Sequence, residues 1–128
     1  MPILIKGVAL YSASPSAAGQ GAGLKVSVPM EGALFTTIHV KMAAGGGADT
    51  LKVKIQGRAD PSLGWIDLKK QDMTTEASLA QAAGAATENT FQCQLMPEMR
   101  VDISGTITGA RAVSAHVVAT TQSVRADS

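Results

Sequence analysis

The sequence predicts an all-β fold: a single antiparallel β-sandwich, jelly-roll-like, with one short helix or long loop near residues 73–87. Three observations predict it. Apolar and polar residues alternate at period two through most of the chain. Breakers rich in Gly, Ser and Pro separate the alternating runs. A composition of 45% hydrophobic and 16% charged residues fits a globular chain and not a disordered one.

Taken in order, residues 3–10 open with an apolar segment read as a first strand. A Gly/Ser/Ala-rich stretch at 12–23 follows, too polar for an internal strand, and is expected to be flexible. It would suit an arm that orders only on a partner, at about 1–2 kcal/mol of entropy per residue fixed. A short run at 24–28 fits the strand template. Thr36, Ile38, Val40 and Met42 then alternate with Thr37, His39 and Lys41. After the breaker at 43–49, Leu51, Val53 and Ile55 alternate with Lys52, Lys54 and Gln56. Asp60-Pro61-Ser62-Leu63-Gly64 reads as a longer hairpin connection into a strand at 65–68.

The stretch 73–84 breaks the pattern. Thr75 would cap a short helix that Gly84 ends, or the stretch is a long loop. Period two returns at 91–95, again at Val101 and Ile103 with Ile107 continuing after Gly105, and finally at 113–119. No internal repeat and no linker divides the chain, so residues 1–128 are expected to form one domain.

The apolar fraction overstates the core. It includes 21 alanines, against one Trp, one Tyr and two Phe. At about 25 cal/mol per Å² of buried apolar area, alanine contributes little. Self-association, or docking on a larger partner, is the expected source of further burial.

The charge balance, 11 Lys and Arg against 10 Asp and Glu, argues against a nucleic-acid binder, which usually shows a basic excess and a basic stripe. The basic pair Lys69 and Lys70 sits between Asp67 and Asp72 and reads as a solvated strand end. The apolar opening is broken by Lys6 and lacks the order of a secretory signal. No stretch approaches the ~20 apolar residues of a membrane helix, so neither nucleic acid nor membrane is an expected partner. Cys93 is alone, which rules out an intrachain disulfide, and it reads as a small buried hydrophobe.

No catalytic, cofactor-binding or metal-ligating residue is nominated. His39 and His116 lie on the polar sides of their strands, facing solvent or an adjoining subunit, without a ligand motif. There is no Gly-x-Ser-x-Gly elbow, and Gly19-Gln20-Gly21-Ala22-Gly23 lacks the context of a phosphate loop. Asp60 and Asp67 flank a turn, and turn chemistry explains both. Trp65 has two readings, a cover for one end of the core or a sugar-stacking platform. The scarcity of other aromatic rings favours the core. Met42, Met73, Met96 and Met99 form no helical stripe and read as adaptable filler of core or interface.

The run Leu51-Lys52-Val53-Lys54-Ile55-Gln56-Gly57, a turn with Asp60 and Gly64, and then Trp65-Ile66-Asp67-Leu68 have a familiar organisation. Further on stand Met99-Arg100-Val101-Asp102-Ile103-Ser104-Gly105-Thr106-Ile107-Thr108-Gly109 and the Ala/Val strand at 112–119. This cadence resembles the small β-sandwich virion proteins of tailed bacteriophages, most of all the capsid decoration or cement proteins. The resemblance implies a non-enzymatic structural protein on the capsid exterior. Its partner would be the major capsid protein of a phage head, and it would act as a homodimer or homotrimer that bridges neighbouring subunits. It carries no motif that transfers residue by residue. The alternative is a tail- or fibre-associated receptor- or carbohydrate-binding module, which would need Trp65 exposed. A small enzyme using His39 or His116 is a third reading, with no activity to nominate.

Overall fold

The computed structural model describes residues 3–26 and 35–122, and among them the chain forms strands and turns without a helix. The strands are β1 (Ile3–Ala13), β2 (Gly19–Gln20), β3 (Leu24–Lys25), β4 (Phe35–Met42) and β5 (Lys52–Arg58). They continue with β6 (Ile66–Asp67), β7 (Ser78–Ala80), β8 (Thr87–Gln94), β9 (Glu98–Ser104) and β10 (Val113–Gln122).

One sheet has the order β1-β10-β4-β8 and the other β2-β9-β5-β6, with β3 also on β9 and β7 also on β5. Every pairing is antiparallel. The short strands β2 and β3 occupy one position along β9, and β6 and β7 one position along β5. Merging each couple leaves successive strands distributed between the sheets as 1-8-3-6 and 2-7-4-5. That is the double Greek key of a jelly roll.

The alternation read from sequence is what packs the two layers. On β4, Ile38, Val40 and Met42 turn inward, and on β10 Val113, Ala115 and Val117 do the same. Val53 and Ile55 of β5, with Met99, Val101 and Ile103 of β9, close the core from the other side, joined by Leu51, Leu68, Ala77 and Cys93. No aromatic side chain is fully buried among the described residues, since Tyr11 and Phe91 are only partly covered. The core of the described residues is aliphatic.

The structure adds detail to the sequence reading in four places. Residues 12–23, expected as a flexible segment, are hydrogen-bonded into the fold. Gly19 pairs with Ile103, Gly21 N–H donates to Val101, and the Pro15 carbonyl accepts from Arg111 N–H. At 73–87 the loop alternative holds, interrupted by β7, which pairs with β5. Positive φ at Met73, Ala83 and Gly84 marks tight turns there. The strand at 101–103 stops at Ser104, because Gly105 turns the chain with φ 93°, and Ile107 packs on the core from a loop. The strand expected at 91–95 begins at Thr87, four residues earlier. Of the strand expected at 24–28, residues 27 and 28 lie outside the described residues.

Candidate functional site

The outer face of the four-stranded sheet carries rows of polar side chains. Ser12 of β1 opposes Ser114 of β10, which opposes Lys41 of β4, which opposes Glu88 of β8. In the next row His116 opposes His39, and His39 opposes Thr90. Glu88 does not answer Lys41; its Oε2 lies 2.6 Å from His39 Nε2. Lys41 instead borders an open groove of about 340 Å³ with Ser12, Ser14 and Ser114. The two histidines are thus brought side by side, His39 exposed and His116 half-buried. Among the described residues no three His, Cys, Asp or Glu side chains group as a metal site.

β8 ends this sheet, and the direction of its backbone groups follows from three hydrogen bonds. Ala43, just past β4, donates its N–H to Ala112 of the β10 side. Odd-numbered residues of β4 therefore point toward β10, and the residues of β8 opposite them point away from the sheet. Two bonds on β8 agree: Gln94 N–H donates to the Lys69 carbonyl, and Thr90 N–H to the Asn89 side chain. The outward positions are thus Glu88, Thr90, Gln92 and Gln94. Lys69 occupies Gln94, leaving the N–H groups of Glu88 and Gln92 open among the described residues. The β4–β8 register runs unbroken from Phe35↔Gln94 to Met42↔Thr87. β8 carries no Pro and no bulge, two of the usual devices that blunt an edge.

The six-stranded face is closed by its own charges. Lys54 reaches Asp67 at 3.3 Å and Glu76 and Asp102 at 3.8 Å, and Lys52 pairs with Glu76. Burial works against the Lys54 charge, but the hydrogen bond with Asp67 and the surrounding carboxylates outweigh it and raise its pKa. Asp67 is held ionised by the hydrogen bond from Gln56, aided by Lys54, so it belongs to this face and not to turn chemistry. Asp60 is the turn residue, accepting from Ser62 N–H and Oγ.

Trp65 corrects the expectation of a core cover. It lies half-buried on this outer face, with the guanidinium carbons of Arg58 and Arg100 at 4.4 and 4.5 Å from its ring centroid. Arg58 in turn pairs with Glu98 at 2.9 Å, and Arg100 donates to Gln56. The indole edge presses on Gly23, where a Cβ would stand 2.8 Å from the ring. Two cations and a backbone engage the ring, so it offers no open sugar platform.

A buried polar cluster ties three loops at one end of the sandwich. Asp49 accepts from Arg111 Nη1 and Thr108 Oγ1, both at 2.7 Å, and from the N–H groups of Thr108 and Gly46. Arg111 Nη2 donates to Gln81, whose amide donates to the carbonyls of Ala43 and Ala85. The Thr108 hydroxyl is the main reason that the Asp49 carboxyl stays below the ordinary carboxylate range, with Arg111 adding to it. Gly45 is required here because a Cβ would occupy the place of the Arg111 guanidinium. Sequence reading missed this cluster. A lone Asp after three glycines and an Arg after another carry no spacing signal, and they meet only through the fold.

Of the remaining candidates, Cys93 is buried, and burial pushes its thiol up to about 12. Met42 and Met99 fill the core, whereas Met73 stands exposed at a turn. Lys69 braces the end of β8, and Lys70 lies over the Phe91 ring, so neither is merely solvated.

No protein-family model and no curated protein sequence matches the chain. A solved structure does: the crystal structure of the SPBc2 prophage-derived protein YomS. It superposes with a TM-score of 0.56 at 11% identity, over 93% of this chain and 96% of that one. The two share a fold. At that identity the correspondence extends to architecture and not to individual side chains.

Proposed function

We propose that the chain is a non-enzymatic bacteriophage virion structural protein, a capsid decoration protein that stabilises the head by bridging major capsid subunits. The observation that carries the reading is the fold correspondence with a prophage-derived protein along nearly the whole of both chains. It supports a phage origin, and the jelly roll is a recurrent architecture of viral coat domains, a fold-level analogy.

The surfaces support an assembly role in physical terms. Partly buried side chains at the core margin, Phe91 of β8 among them, would gain from burial against a partner. The six-stranded face is neutralised internally, and the four-stranded sheet ends in the β8 edge, where backbone pairing is available among the described residues. Self-association as a homodimer or homotrimer belongs to the same reading.

The test is reconstitution. Purified chain is added to heads of the source phage made without it, and the heads are then sedimented and heated. Saturable co-sedimentation and a higher temperature of DNA release are expected. Heads that bind none of it contradict the proposal.

A further inference from the structure

We infer that β8 is a homodimer interface, in which two copies of the chain pair their β8 edges antiparallel about a two-fold axis at Thr90. The four-stranded sheets of the two copies then form one continuous sheet. The inference deepens the self-association part of the proposed function.

The register follows from which backbone groups are available. Positions 88, 90 and 92 point outward, while the N–H at 94 is taken by Lys69. Antiparallel strands exchange bonds only where outward positions oppose outward positions. A two-fold axis at residue 91 places Glu88 against the occupied Gln94. An axis at 89 places Gln92 against residue 86, outside the strand. The axis at Thr90 opposes Glu88 to Gln92 of the second copy, Thr90 to its own counterpart, and Gln92 to Glu88. Every open position then meets an open position, and each opposed pair exchanges two N–H···O=C bonds.

Side chains favour the same register. On the outer face Glu88 opposes Gln92, whose amide donates to Thr37 Oγ1 of its own chain, and like charges are kept apart. Glu88 is already drawn sideways onto His39, which takes its charge off the edge. On the inner face Asn89 opposes Phe91, a ring only partly covered within one chain. The Asn89 side chain that caps Thr90 N–H in the single chain acts as a place-holder, displaced when the carbonyl of the second copy arrives. The strand is Glu-x-Thr-x-Gln, self-complementary about its centre.

Three variants of the full chain test this. Thr90→Pro removes an N–H that bonds no strand of its own chain and meets only the Asn89 side chain, a position where an edge strand tolerates proline. Thr90→Cys places two thiols on the axis, where Cα atoms of a hydrogen-bonded pair stand about 5.5 Å apart, within disulfide reach. Asn89→Cys places them off it.

The wild-type chain is expected to sediment at twice its 13.1 kDa mass. Thr90→Pro should weaken that dimer by more than about tenfold in Kd. Mild oxidation should crosslink Thr90→Cys but not Asn89→Cys. A wild-type monomer, a dimer that survives Thr90→Pro, or equal crosslinking of both cysteine variants would overturn the interface. If Thr90→Pro fails to fold, the cysteine pair decides alone. The virion proposal fails on a different result, the absence of binding to heads.

Discussion

At the residue scale, the Asp49–Arg111 pair sets the sharpest expectation. Both side chains are almost wholly shielded, with 1% and 5% of their surface exposed. Removing one partner strands a buried charge, which costs far more than the net worth of the pair. Arg111→Met is therefore expected to lower Tm by roughly 10 °C or more in a scanning calorimeter. Adding Asp49→Asn should recover part of that loss, and strict additivity of the two changes would contradict the cluster. In the apolar core, Ile55→Ala should cost about 2–5 kcal/mol in chemical denaturation. Cys93, buried and with a thiol pKa of about 12, should resist iodoacetamide in the native protein and react once it is denatured. The buried alternation around Val53, Ile55, Val101 and Ile103 was legible in the sequence because strand pairing repeats at two residues. Asp49, Gln81 and Arg111 were not, since their meeting depends on three separate loops.

At the element scale, the strands that sequence reading caught have one dry and one wet face. Those it missed lack that contrast. β8 starts at Thr87, but Thr87 to Thr90 are polar on both faces because the strand is a sheet edge. β2 and β3 pair through glycine-flanked fragments whose order comes from β9, not from their own side chains. Trp65 was misplaced for a related reason: its neighbours Arg58 and Arg100 come from strands far apart in sequence. Gly23 makes that packing testable. Gly23→Ala sets a methyl against the indole edge and should destabilise the protein by about 1–3 kcal/mol, with a red shift of Trp65 emission. Unchanged emission and stability would show that the segment at 19–25 does not cover the ring.

At the scale of the whole molecule, carboxylates distributed over the turns and the six-stranded face share one direction of shift. Asp49, Asp60, Asp67, Asp72 and Glu76 all lie below their ordinary values. Asp72 reaches about 2 through the hydroxyl and N–H of Thr75 and the N–H of Thr74. A carboxylate depressed on folding adds stability that is present above its unfolded pKa and is lost as pH falls through its folded one. Thermal stability is thus expected to decline as pH drops from about 4 toward 2, and Asp72→Asn should soften that decline. A profile flat across this window would contradict the assignment. The fold class was readable from the sequence as a jelly-roll-like sandwich. Strand order was not, since period two states that faces differ without saying which strands adjoin.

The proposed place of the chain in phage heads is tested most directly by quantitative mass spectrometry of purified particles of the source phage. A copy number close to that of the major capsid protein is the predicted result. A few copies per particle, or none, would contradict it.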